Sequence, residues 1–142
     1  MAYTIIQVEN PALIIYDMFD DVSIDDFRGC RDYALSKGTE ISRINQLLIF
    51  REGAQITAAS DTLRSFIKLD PHHEFDSIRI IVAPTDLNYG ISRMLAAYRD
   101  GTGDPIKPVR SIAEACEELS IAPTIVTAAL QGRIGKILQT SW

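Results

Sequence analysis

Four consecutive apolar residues, Leu47-Leu48-Ile49-Phe50, and a second run, Ile80-Ile81-Val82, constrain this chain more than any other feature. Successive side chains of a strand point to opposite faces. A strand that is apolar at every position is therefore stable only where both faces are covered. Turn chemistry follows each run, Arg51-Glu52-Gly53 after the first and Pro84-Thr85-Asp86 after the second, and then comes a segment of helical periodicity. Such strands alternating with helices predict an α/β sandwich with a mostly parallel sheet.

The rest of the chain fits around that pattern. Tyr3–Val8 and Ala12–Met18 are rich in strand formers and are separated by Glu9-Asn10-Pro11, which predicts an opening antiparallel hairpin. Ser23, with Asp26 three residues on, is a shortened capping box. The helix it starts buries Ile24, Phe27, Cys30 and Ala34, and Gly38 closes it at a left-handed position. A second helix starts near Thr57 or Ser60, carries Leu63, Phe66 and Ile67 inward, and ends at Asp70-Pro71, because the residue before proline avoids the α region. Leu87, Ile91, Met94, Leu95 and Tyr98 mark one face of a third helix. Ile106–Val109, interrupted by Pro108, is an edge strand. Ser111 and Glu114 form a capping box for a helix burying Ile112, Ala115, Cys116 and Leu119. Pro123 starts a last helix, with Val126, Leu130, Ile134 and Ile137 in line.

A length of 142 residues fits one domain, and 46% hydrophobic with 23% charged residues excludes a disordered chain. The net charge of −5 and the singly scattered arginines and lysines lack the basic footprint of a nucleic-acid binder. No apolar run approaches the roughly 18 residues of a transmembrane segment, and Met1–Val8 lacks the features of a signal peptide. Cys30 and Cys116 fall on apolar helix stripes and are expected as buried free thiols of a reducing cytoplasm, a single bridge or a nucleophile being the rarer alternatives. His72 and His73 stand among Asp70, Glu74 and Asp76, but adjacent histidines in an extended loop point apart, so neither a metal nor a cofactor is expected. No nucleophile elbow, P-loop or H-E-x-x-H motif is present, which argues against an enzyme.

Two stretches resemble a known family. Ile81-Val82-Ala83-Pro84-Thr85-Asp86-Leu87-Asn88-Tyr89-Gly90-Ile91-Ser92-Arg93-Met94, and Val109-Arg110-Ser111 followed by Glu114-Ala115, are similar to strand–turn–helix units of small bacterial STAS-like, or SpoIIAA-like, domains, mostly of unassigned function. The resemblance implies a SpoIIAA-like sandwich over residues 1–120: a hairpin, then a mostly parallel sheet with covering helices. Residues 121–142 are then a C-terminal helical extension of the same domain. It also implies regulation through protein partners. STAS antagonists of anti-sigma factors are switched by serine phosphorylation in an Asp-Ser motif after the third strand. Here that place reads Arg51-Glu52-Gly53-Ala54-Gln55, and the nearest hydroxyls are Thr57 and Ser60. A hydroxyl at a helix start suits a phosphate, but plain capping is the expected role of these two residues.

Thr85, Asp86, Tyr89 and Arg93 make the candidate ligand site. They open a helix at the carboxyl end of a buried strand, where ligands of open α/β sheets sit. Helix amides can meet an anion there, although Asp86 would repel it. Gly90 costs a helix about 1 kcal/mol relative to alanine, which points to close packing or ligand approach.

The last helix offers another kind of site. It is apolar along one face, no acid follows Glu118, and Ala128, Gly132 and Gly135 leave shallow surface. Apolar area left in water costs about 25 cal/mol per Å². The helix must cover its own domain, a second copy or, with only Arg133 and Lys136 as cations, a membrane surface. Small residues permit close helix approach, so the expectation is a homodimer with residues 123–138 in the interface, through Val126, Leu130, Gly132, Ile134 and Ile137. The expected function is a non-catalytic binding or regulatory module acting through a protein partner. The alternative is a small-molecule binder, for an anionic metabolite or lipid, or a minor enzyme, at Thr85–Arg93. A cavity with converging polar groups favours the alternative; a filled interior with an exposed apolar patch favours the module.

Overall fold

The computed structural model describes residues 3–69, 77–100 and 105–141. Strands β1 (Tyr3–Val8) and β2 (Leu13–Met18) form the expected hairpin, with a cis Asn10–Pro11 peptide in its turn. There follow β3 (Asp21–Val22), α1 (Ile24–Ser36), a 3-10 turn over Gly38–Arg43, β4 (Asn45–Phe50), β5 (Gln55–Ile56), α2 (Ser60–Leu69), β6 (Arg79–Val82), α3 (Asp86–Arg99), β7 (Ile106–Val109), α4 (Ile112–Leu119), α5 (Pro123–Leu130) and β8 (Lys136–Ser141).

Six strands make one sheet in the order β7-β6-β4-β2-β1-β8, and β3 pairs with β5 in a small second sheet. β2, β4, β6 and β7 are mutually parallel, with Tyr16 opposite Leu48, Leu48 opposite Ile81, and Ile81 opposite Pro108. β8 is antiparallel to β1, so β1 alone runs against the other five. The proline-bearing β7 lies at an edge, where a missing N–H costs no ladder bond.

The central strands are buried on both faces, as their sequence requires. On one face Ile5, Ile14, Tyr16, Phe50 and Ile81 pack with Phe27 and Cys30 of α1, Leu63 and Ile67 of α2 and Leu95 of α3. On the other, Ile6, Ile15, Leu47, Ile49 and Val82 pack with Ala115 and Cys116 of α4 and Val126 and Ala129 of α5. Both thiols are free and buried, and the sheet separates them. Close packing shows at Gly29 of α1, where a Cβ would overlap the hydroxyl of Tyr3 on β1.

Local chemistry sets the element boundaries. Ser23 Oγ accepts from Asp26 N–H and Asp26 Oδ2 accepts from Ser23 N–H, closing the capping box of α1, and Gly38 follows with φ +61°. Thr85 Oγ1 caps Asn88 N–H at the start of α3, and Ser111 Oγ caps Glu114 N–H at the start of α4. The predicted end of α2 at Asp70-Pro71 falls outside the described residues, as do His72 and His73.

Two expectations need correction. The fully buried residues of α3 are Asn88, Ser92, Leu95 and Arg99; Ile91, Met94 and Tyr98 pack half-buried against the same core as expected, and Leu87, 69% exposed, is the one residue that leaves the expected face. Asn88 in the first turn is buried against the loop after β4. The second correction concerns the C-terminus. Residues 123–138 do not form one helix. α5 ends at Leu130, and Gly132 and Gly135, with φ +75° and +81°, turn the chain into β8, which completes the sheet beside β1. Gly135 is needed twice over: its φ is left-handed, and a Cβ would stand 2.9 Å from the Gln7 carbonyl oxygen. Val126 is fully buried within its own domain, and Leu130 packs on the same cluster. The homodimer therefore loses the helix on which it was based. Of its proposed contacts, Ile134 and Ile137 are exposed, on the turn and on the edge strand.

One ion pair ties β2 to the loop after β4. Arg51 donates Nε to Asp17 Oδ1 and an Nη to Oδ2, both at 2.8 Å, and Asp17 is 5% exposed. Arg51→Ala strands that carboxylate. The unfolding free energy in urea should fall by about 1–3 kcal/mol, and adding Asp17→Asn should recover part of the loss.

Candidate functional site

Asp86 and Tyr89 come together at the carboxyl end of β6, and the residue that gathers them is Arg110. Its guanidinium donates to Asp86 Oδ1 at 2.8 Å and to the Pro84 carbonyl at 2.9 Å, and lies over the Tyr89 ring at 4.9 Å. Arg110 follows β7 directly, so the contact fastens the β7–α4 loop to the β6–α3 loop. Thr85 Oγ1 is spent on its cap. Asn88 is 1% exposed and donates Nδ2 to the Ala54 carbonyl at 2.9 Å, which holds the start of α3 against the loop after β4. Arg93 is not part of this group. It is exposed and borders a shallow depression with Asp100 and Pro105. The cluster is a junction between loops whose polar groups satisfy one another. Arg110 and Asn88 were not picked out from sequence; the signal for Arg110 was its place one residue past a parallel strand.

Nothing packs closely on Gly90. A Cβ there would meet nothing within 4 Å, and its φ is not left-handed. The reading of close packing is corrected, and Gly90→Ala should raise stability by about 0.5–1 kcal/mol, seen as a higher urea midpoint at unchanged slope.

Thr57 and Ser60 take different roles. Thr57 Oγ1 donates to the Val22 carbonyl at 3.3 Å, bracing β5 against β3, and does not cap a helix. Ser60 is the first residue of α2 and is exposed; the Leu63 N–H bonds to the Ala59 carbonyl.

An apolar cavity lies elsewhere, on the α1–α2 face. It measures about 120 Å³, is partly open to solvent and sits between α1, α2 and the parallel strands. Phe27, Ala34, Leu48, Leu63, Phe66 and Ile81 give it an apolar wall. Tyr16, Cys30, Arg31, Gln46 and Arg79 add the polar atoms. Tyr16 Oη donates to Gln46 Oε1 at 2.7 Å, both residues being buried. Arg31 lies over the Phe66 ring at 4.4 Å, bridging α1 to α2. The α1 stripe foresaw Phe27, Cys30 and Ala34 as core. Sequence reasoning missed the polar members, although Gln46 at an inward position of an otherwise apolar strand was a legible sign.

Burial governs the thiol and the phenol at the cavity. Burial pushes the Cys30 thiol well above its ordinary value, and Asp26 adds to the effect. Burial raises the Tyr16 phenol likewise, with a smaller contribution from Cys30. Both groups are protonated at neutral pH, and a protonated thiol is a poor nucleophile and metal ligand. Among the described residues no three His, Cys, Asp or Glu side chains converge as a metal site, and no helix is long and apolar enough to cross a membrane. Comparison with family models, with curated proteins and with solved structures finds no match.

The buried thiols have a consequence for pH. An unfolded thiol titrates near pH 8.5, whereas burial raises Cys30 and Cys116 in the folded state. Stability is then complete below about pH 8.5 and falls as pH rises beyond it, by at most about 1.4 kcal/mol per pH unit per thiol. Urea midpoints measured from pH 8 to 10 should decline less steeply for Cys30→Ala than for the parent protein.

Proposed function

We propose that this domain is a binding module for a small molecule with a largely apolar body, received in the cavity between α1, α2 and the sheet. The observation that carries the reading is the cavity itself: an apolar wall with Tyr16, Gln46, Arg31 and Arg79 converging on it. Protein interiors are packed so closely that voids larger than a water molecule are few. An apolar cavity of about 150 Å³ holds one benzene ring; this space of about 120 Å³ is of that order and partly open, so it takes at most a single ring or a short branched chain. Of the two functions the sequence left open, the small-molecule reading is favoured, with its site moved from Thr85–Arg93 to the space between α1, α2 and the sheet. STAS-like kinship and a regulatory output through a partner protein belong to the same proposal. Their support is the hairpin followed by parallel βα units.

Toluene is a sufficient probe. Titration followed by NMR should shift the signals of Ala34, Leu48 and Leu63, and at one hundred times its Kd the ligand should add about 2.7 kcal/mol of stability. Ala34→Leu, which grows into the cavity from α1, should abolish the shifts while the protein stays folded. A parent protein that shows no perturbation at saturating toluene would overturn the reading.

A further inference from the structure

One polar side chain in the cavity wall keeps unspent donors. Gln46 precedes the apolar run of β4 and is only 5% exposed. Leu48 and Phe50 follow it at i+2 and i+4, so strand alternation sets it on their side of the sheet, toward α1 and α2. There it lines the cavity beside Tyr16. Among the described residues its side chain makes one hydrogen bond, in which Oε1 accepts from Tyr16 Oη at 2.7 Å. Burial keeps that phenol protonated and able to donate. The amide oxygen is thus held, and both N–H groups of Nε2 remain to be used. Nε2 is also not sealed against the packed interior, as the Tyr33 hydroxyl is; the surface it keeps opens where Gln46 borders the cavity. An amide N–H turned from bulk water is costly unless an acceptor is supplied. Leu48, Leu63 and Ile81, which line the same space, supply none. Arg31 and Arg79 border the space too, but they are already engaged within the protein.

We infer that Gln46 is the specificity-determining residue of this cavity, and that the ligand is an uncharged molecule of at most single-ring size whose one acceptor oxygen, carbonyl or hydroxyl, meets Gln46 Nε2. The inference rests on the binding function proposed above and adds the chemical class. A charged headgroup would give up its hydration for a neutral donor, which is a poor exchange. Tyr16 is a positioning residue: by holding Oε1 it fixes which end of the amide faces the cavity. A neutral hydrogen bond of this kind changes affinity by about three- to tenfold.

Cyclohexanone and methylenecyclohexane differ only in an oxygen or a CH₂ group at the same position. With toluene and cyclohexanol they form a series to be titrated by NMR on the intact protein. The ketone's own hydration cancels when its affinity relative to the hydrocarbon is compared between the parent and Gln46→Met, which keeps the side-chain length and loses the amide. That ratio should fall by about threefold or more in the variant. Methylenecyclohexane and toluene should bind as before, which also shows that the variant is folded. In the parent, the Gln46 side-chain N–H signals should move downfield with cyclohexanone and stay in place with methylenecyclohexane. Should Gln46→Met fail to fold, Tyr16→Phe, which releases Oε1, should lower the same ratio. Cyclohexanol carried through the same comparison separates the two acceptors: a matching fall admits a hydroxyl, and no fall restricts the ligand to a carbonyl. An unchanged ketone ratio with unmoved Gln46 signals would overturn the assignment to Gln46 and leave the binding function standing. Failure of every compound, toluene included, would overturn both.

Discussion

The two-sided burial of β4 is the constraint on which the rest of this structure depends. Leu47 and Ile49 face one helical layer while Leu48 and Phe50 face the other, and neither pair can be left in water without losing about 25 cal/mol for each Å² of apolar area. The chain meets the demand unequally. α1, α2 and α3 cover one face, α4 and α5 the other. The shorter pair buries small residues against the sheet, Ala115, Cys116 and Ala129. On the opposite face the inward residues are larger and include Tyr16 and Gln46, whose hydrogen bond occupies the space between strands and helices. The cavity lies on that face.

Polar groups serve two roles around the parallel strands. At the carboxyl end they act as fasteners. Arg51 holds Asp17, Arg110 holds Asp86, and Asn88 holds the Ala54 carbonyl, so three loops are joined and little polar capacity remains. These contacts differ in worth. The Asp86 side chain is 96% exposed, and such an ion pair contributes at most about 1 kcal/mol, whereas Asp17 is buried and its pair matters more. The polar groups between α1, α2 and the sheet border empty space instead. Ligands of open α/β sheets commonly sit at the carboxyl ends of the strands, but here those loops are tied to one another.

Much of the architecture was legible because it follows from local chemistry. The capping box at Ser23, the left-handed Gly38, the cap at Thr85 and the edge position of the Pro108 strand each depend on residues within one turn or one strand. The α3 stripe was less secure. Its apolar residues and its line of Asn88, Ser92, Leu95 and Arg99 follow the same period one residue apart, so periodicity alone could not choose between them. The structure keeps most of the apolar line on the core, leaves Leu87 outside and buries Asn88, whose partner, the Ala54 carbonyl, lies 34 residues away in sequence. The C-terminal segment misled for a related reason. Val126, Leu130, Ile134 and Ile137 keep helical spacing across a break, and Gly132 and Gly135 were read as small surface when they are turn residues. Two glycines three apart, with a run of Ile137-Leu138 beyond them, were the available sign of a stop followed by a strand.

By itself the sequence determined the class of fold, the hairpin, the parallel strands that need cover on both faces and the burial of both cysteines. All of these follow from side-chain chemistry and short-range spacing. Tertiary structure alone decided that α3 buries Asn88 and leaves Leu87 outside, that the chain's end returns as a strand beside β1, and that Tyr16, Cys30, Arg31, Gln46 and Arg79 surround one cavity. Those residues come from four elements that are distant in the chain. A cavity is what remains when helices of fixed side-chain volume are laid on a sheet, and that remainder is a property of the assembled layers, with no counterpart in any local stretch of residues.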